Sequence, residues 1–217
     1  MAKKPITIPK YSLSEEIINS ITHGIAGALS IWGLVMLIIK AAPLGGKAIT
    51  CVTLFGVTSI ILYTMSCIYH ALSKNLAGKK VLRVIDHCNV FLLVYGTIIP
   101  VALLGIGGKE GWICFGIVSF ITVLGITASC IALESTQVFE VICHLLNGWS
   151  ILMYSKLLMS NIGIMGIKLI IYGGVAYTVG AILYGIGSKT KYMHCVFHVF
   201  CVIGTILHYL AIYLYVL

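Results

Sequence analysis

Seven apolar runs, each close to the length that crosses a bilayer, divide this chain almost end to end. They run about Ile17–Ile39, Ile49–Tyr69, Val84–Leu104, Trp112–Leu133, Val141–Leu158, Ile164–Ile186 and Met193–Leu217. A helix needs about 20 apolar residues to cross the hydrocarbon core. Within that core every backbone N–H and C=O must be bonded internally, which leaves only helices and closed barrels. These runs are continuous rather than alternating, so a barrel is excluded. Of 217 residues, 60% are hydrophobic and only 9% charged, against roughly 25% charged in soluble domains. That excludes a soluble enzyme, a disordered chain and a disulfide scaffold. The expected fold is an all-α integral membrane protein, a seven-transmembrane helix bundle in the cell membrane. Residues 1–16 read as a cytoplasmic tail and helix start, and residues 17–217 as one membrane domain. No cleavable signal is evident, because the polar start leads into a full-length span.

Local signals mark where the spans begin and break. Ser12-Leu13-Ser14-Glu15 fits a capping box. Pro43 with Gly45-Gly46 breaks the chain after the first span. Pro100 is expected to kink the third span or end it early. Small pairs four apart, Gly24/Ala28, Gly125/Ser129 and Ala176/Gly180, suit close helix approach. The eight cysteines form no CxxC pair and read as small buried hydrophobes.

The net charge is +8. In a soluble protein it would suggest nucleic acid; here the cations are assigned to loops, as topology signals and anionic-lipid contacts. With seven spans, one side holds Lys3, Lys4, Lys10, Lys74, Lys79, Lys80, Arg83, Lys189 and Lys191. The other holds Lys40, Lys47, Lys109, Lys156 and Lys168. The positive-inside rule then puts the N-terminus in the cytoplasm and the C-terminus outside. The fourth loop carries no cation, only Glu134 and Glu140.

Six of the seven histidines fall on the cytoplasmic side of this map: His23, His70, His87, His144, His194 and His198. Polar groups at membrane depth are costly unless they pair, line a wet cavity or bind metal. His194 and His198 form an HxxxH, so both imidazoles share one helix face. Ser66-x3-His70 has the same geometry, and Asp86 returns to that layer after a short basic loop. His70, His194 and His198 can form a three-histidine site, and three protein ligands plus one water is the pattern of catalytic zinc. Asp86 can then accept the proton of that water. Taken singly each residue has a plainer reading. Asp86 suits an N-cap of the third span, and Ser66 a hydroxyl bonded to its own helix. His87 and His144 read as interfacial or structural, His208 as a core histidine, and Tyr209, Tyr213 and Tyr215 as interface anchors. The shared level of the polar groups raises the metal reading.

These residues resemble the haemolysin III branch of the progestin and adipoQ receptor superfamily, in a bacterial form. Glu16-x2-Asn19-x3-His23 matches the first motif, Ser66-x3-His70 with Asp86 the second, and His194-x3-His198 the third. The resemblance covers nearly the whole chain and lacks the long N-terminal extension of animal adiponectin receptors. It implies Zn2+ in the cytoplasmic leaflet, held by His70, His194 and His198. Asp86 would hold the water, Ser66 would lie in the same shell, and Glu16, Asn19 and His23 would surround the site. It also links the fold to alkaline ceramidases and to proposed lipid hydrolases.

The leading expectation is therefore zinc-dependent hydrolysis of a lipid amide or ester, or a role in membrane lipid homeostasis. The alternatives are a lipid-sensing signalling protein with structural zinc, a pore-forming cytolysin and a transporter. A pore wants polar stripes along whole helices, and a transporter wants midplane polar groups and internal repeats; neither is clear here. Membrane lipids are the expected partners, with a homo-oligomer open and nucleic acid excluded.

Overall fold

An apolar chain in a bilayer gains nothing by hiding aliphatic side chains, so its helices turn polar faces inward. The computed structural model describes residues 4–187 and 190–217; Lys3 and Lys189 of the charge count lie outside them. Helix α1, Leu13–Ala41, illustrates the inversion. Glu16, Asn19 and His23 are buried on one face, at the three- and four-residue spacing of a helix. Ile17, Ile21, Ile25 and Trp32 are exposed on the other. The helix starts where the sequence predicts. Ser12 accepts from the Glu15 N–H, and the Glu15 carboxylate accepts from the Ser12 N–H at 2.8 Å.

The remaining elements are α2 (Gly46–Ala71), α3 (Gly78–Pro100), α4 (Gly108–Ser150), α5 (Ser155–Gly187) and α6 (Met193–Ala211). No strand occurs among the described residues. Pro43 sits in the 3-10 turn Ala42–Leu44 that ends α1, and Gly45 (φ 90°) turns the chain into α2. Pro100 is the last residue of α3, which continues as a π-helical turn, Val101–Ile106.

Among the described residues, five apolar helical runs are long enough to cross a membrane: Leu13–Leu44, Gly46–Ala71, Gly78–Ile106, Gly108–Gly187 and Met193–Val216. The chain is a multi-pass membrane protein. The fourth run, of 80 residues, holds the expected fourth, fifth and sixth spans and leaves the helical region at two places. Ala132 has φ −152° and ψ 49°, and Gly163 has φ 67°, a left-handed conformation suited to glycine. The loop expected over Glu134 and Glu140 is instead helical, directly after the Ala132 break. Side chains bridge that break. Thr136 Oγ1 lies 3.1 Å from Ala132 O and 3.0 Å from Glu140 Oε1, and Ser129 Oγ donates to Glu140 Oε1 at 2.8 Å.

Helices α1 and α2, α2 and α3, α3 and α4, and α5 and α6 pack pairwise, and α6 returns against α1. Gly125 lets α4 approach α3, because the Phe91 ring fills the space a Cβ would need. The main apolar core gathers Leu37, Val52, Phe55, Val101, Leu158 and Ile212. It occupies the end of the bundle where α1 finishes and α2 begins. The opposite end, where α1, α3 and α6 begin and α2 finishes, is left to polar side chains.

Candidate metal centre

Helix periodicity brings the predicted residues together at that polar end. His70 closes α2, and His194 and His198 occupy adjacent turns at the start of α6. Ligand nitrogens of these three buried imidazoles lie within 4.8 Å of one another. His194 Nε2 and His198 Nε2 are 3.1 Å apart. Two ligands 2.0–2.1 Å from a tetrahedral Zn2+ stand about 3.3 Å apart, so the spacing suits a shared ion.

The surrounding residues fix each ring. His70 Nδ1 lies 2.6 Å from Glu16 Oε2. A carboxylate only accepts, so Nδ1 carries the proton there, and His70 Nε2 is buried without a hydrogen-bond partner among the described residues. Metal-binding histidines are commonly held by a carboxylate in this way. Asn19 Nδ2 lies 3.5 Å from the same Nδ1. His23 stacks on His198 with ring centroids 3.7 Å apart, and meets Tyr63 edge-on at 5.0 Å. Both His23 nitrogens are buried without a well-formed hydrogen bond among the described residues, and the ring lines the same cavity as His194 and His198. The donor set, three buried imidazoles with one held by a carboxylate, fits a divalent cation such as Zn2+.

Asp86 and Ser66 lie on the other side. They line a cavity of about 170 Å3 that also reaches His194 and His198. The Ser66 hydroxyl faces the Asp86 carboxylate. Asp86 sits within α3, eight residues past its start, so the N-cap alternative does not hold. Glu16 is outside the cavity lining. Glu16 and Asn19 thus back His70, while His194 and His198 share the cavity wall with Asp86 and Ser66.

Several residues packed around this end carry no signal in the sequence motifs. Lys79 and Arg83, assigned to a loop touching lipid, are buried in α3. Lys79 Nζ donates to Glu16 Oε1 at 2.9 Å and to Leu72 O at 2.7 Å. Arg83 pairs with Glu134 and also donates to Thr7 O. An isolated cation at that depth is costly, so each has its own carboxylate. The tail before α1 also takes part. Tyr11 stacks on His194, ring centroids 4.8 Å apart, and Thr7 N donates to Glu134 Oε1 at 2.9 Å. Burial, then the neighbouring Tyr184 and Tyr69, hold the Tyr11 phenol above its ordinary value of 10.0.

A second polar cluster lies across the cavity. His87 Nδ1 is 2.9 Å from Glu140 Oε2, and His87 Nε2 is 3.5 Å from Tyr184 Oη. His144 packs on Phe91. Deeper, Tyr63 and Tyr177 both bond Thr205 Oγ1, at 2.5 and 2.7 Å. His208 Nε2 reaches Ile170 O at 3.1 Å. The tyrosine hydroxyls carry no sequence pattern that would have grouped them.

A family model described as Haemolysin-III related matches residues 11–209. A protein named Hemolysin-3 from Bacillus cereus is 32% identical over 206 residues, covering 94% of this chain and 93% of the relative. A Hemolysin-3 homolog from Bacillus subtilis (strain 168) is also 32% identical over 206 residues, covering 94% of this chain and 96% of the relative. The matched stretch carries all three histidines, Asp86 and the Glu16 that orients His70, and so the chain belongs to the haemolysin III family, within the progestin and adipoQ receptor superfamily.

Proposed function

We propose that this protein is an intramembrane zinc hydrolase that cleaves an amide or ester of a long-chain lipid. The carrying observation is the pairing of a carboxylate-held His70 with His194 and His198, which share a cavity wall with Asp86 and Ser66. When bound, Zn2+ lowers the pKa of a coordinated water to about 7 and polarises a carbonyl. In this reading Asp86 takes the proton of the attacking water, and Ser66 holds the Asp86 carboxylate in place. Leu62, Val90, Leu93 and Ile98 continue the cavity wall beyond the polar groups, which suits an acyl chain. A wholly structural metal would have no use for a cavity lined by a carboxylate.

The same reading takes the membrane domain as seven spans in the plasma membrane. A straight helix of 80 residues would be about 120 Å long, four times the hydrocarbon thickness of about 30 Å. The breaks at Ala132 and Gly163 divide that run into three lengths, and both breaks fall near borders read from hydropathy. The count of Lys and Arg then orients the N-terminus and the three-histidine group toward the cytoplasm.

The test is metal content by mass spectrometry and fatty acid release from a lipid amide in vesicles. About one zinc per chain, lost in His194→Ala/His198→Ala, is expected. Asp86→Asn should keep the metal and lose release by 100-fold or more, on the order of general-base effects. Metal-free wild type purified without chelator, or full release by Asp86→Asn, would overturn the reading. The name of the Bacillus cereus relative, a hemolysin, favours lysis as a second reading. Dye leakage from liposomes on adding purified protein would support it, and intact liposomes would remove it.

A further inference from the structure

Hydrolysis needs two proton movements, one from the attacking water and one to the leaving group, and a second residue besides Asp86 can serve the latter. Asp86 can receive the proton of the attacking water. Cleaving an unactivated amide also requires a proton for the departing nitrogen, because an amide anion is too basic to leave. Glu16 is tied to His70 and Lys79. Lys79 is fully buried behind Glu16, and neither lines the cavity. A donor separate from Asp86 would come from another wall.

We propose that His87, held by Glu140, is that donor. His87 follows Asp86 directly on α3, so the two side chains leave the helix about 100° apart while lining one cavity. Glu140 Oε2 accepts from His87 Nδ1 at 2.9 Å. Its other oxygen is held by Ser129 at 2.8 Å and Thr136 at 3.0 Å, so the carboxylate cannot swing away. This leaves Nε2 for the substrate. The Tyr184 hydroxyl, at 3.5 Å, is at the outer limit of a hydrogen bond. A carboxylate holding one imidazole nitrogen while the other faces the reaction is the usual arrangement of a catalytic histidine. The groups facing His87 are Asp86 on its own helix, Glu140 and His144 on α4, Tyr184 on α5 and His194 on α6.

The step balances as follows. The water oxygen bonds to the carbonyl carbon and its proton passes to Asp86. The C–N bond then breaks, its electron pair stays on nitrogen, and nitrogen takes the Nε2 proton of a His87 imidazolium whose Nδ1–H stays on Glu140. A carboxylic acid and an amine leave, and the proton on Asp86 returns to His87 through solvent. This inference rests on the hydrolase reading and names a second residue pair for the same reaction.

Leaving-group chemistry provides the test. Two probes share one acyl chain: a palmitoyl amide of a primary alkylamine, and p-nitrophenyl palmitate, whose phenolate leaves without a proton. His87→Gln should lose at least 100-fold on the amide and less than about tenfold on the ester, with zinc content unchanged. Glu140→Gln keeps an acceptor for Ser129 and Thr136 and should move in the same direction by a smaller factor. It also serves if His87→Gln does not fold. Equal losses on both probes in the folded variants would overturn the donor role and leave the hydrolase reading standing. Wild-type protein that cleaves neither probe would overturn both.

Discussion

Glu16 Oε2 stands 2.6 Å from His70 Nδ1, while Glu16 Oε1 receives Lys79 Nζ at 2.9 Å. One carboxylate from α1 thus orients a candidate ligand on α2 and neutralises a buried cation on α3. The two tasks separate experimentally, because metal affinity reads the first and fold stability reads the second.

Glu16→Gln should weaken zinc binding by about 10- to 100-fold, the usual effect of removing a carboxylate behind a metal-bound imidazole. His70, His194 and His198 remain, so the site persists with lower affinity. Competition against a chelator of known affinity, on detergent-purified protein, reads the shift. Unchanged affinity would show that His70 needs no carboxylate.

Lys79→Met tests the other task. Breaking a buried ion pair from one side typically costs about 3–5 kcal/mol, whereas replacing both partners is near neutral. Lys79 has no exposed surface, so the single variant should unfold at clearly lower temperature than the double variant Lys79→Met/Glu16→Gln. Thermal unfolding in one detergent compares them. Equal destabilisation of the two would mean that Lys79 acts through Leu72 O and packing alone.

Arg83→Gln should release the tail before α1. Arg83 bonds both Glu134 and Thr7 O, and Thr7 bonds Glu134 in turn. These contacts hold residues 4–12 across the mouth near His194, where Tyr11 stacks. Lys10 is exposed, so trypsin can reach it once the backbone can move. Cleavage after Lys10, followed by mass spectrometry, should accelerate several-fold in the variant. No change would show that the tail is held by Tyr11 and the Ser12 cap instead.

The parts of this arrangement written in local spacing are legible in the sequence. The capping box at Ser12 and Glu15, the stop at Pro100, and the shared faces of Ser66 with His70 and of His194 with His198 all depend on neighbours three or four residues away. What the sequence leaves hidden depends on partners far along the chain. Lys79 and Arg83 look like loop cations because nothing nearby in sequence pairs with them; their carboxylates, Glu16 and Glu134, are 63 and 51 residues away. Glu140 looks like a loop acid because hydropathy drops over 134–140. The segment is helical because Thr136, Ser129 and His87 satisfy the polar groups there. The break at Ala132 lies beside that network, and no glycine or proline marks it.

The contact of Cys88 with Cys130 tests the register of α3 against the part of α4 before Ala132. The two Sγ atoms are 3.7 Å apart, Cys88 half-buried and Cys130 exposed. A disulfide needs about 2.05 Å between sulfurs, a gap that side-chain rotation can close without moving either helix. Cys130 faces outward among apolar residues such as Ile131 and Phe120, so a membrane-permeant oxidant such as diamide should reach it. Diamide takes two electrons and two protons from the thiols and becomes the hydrazine. The intact chain should lose about 2 Da, and peptides containing Cys88 and Cys130 should appear joined after digestion. Cys88→Ser and Cys130→Ser should each abolish the product. A one-residue slip of α4 would turn Cys130 by about 100° and separate the sulfurs. The absence of this crosslink, with both thiols shown to react with a permeant maleimide, would therefore place the α3–α4 register elsewhere, and with it the Glu140 side chain that holds His87.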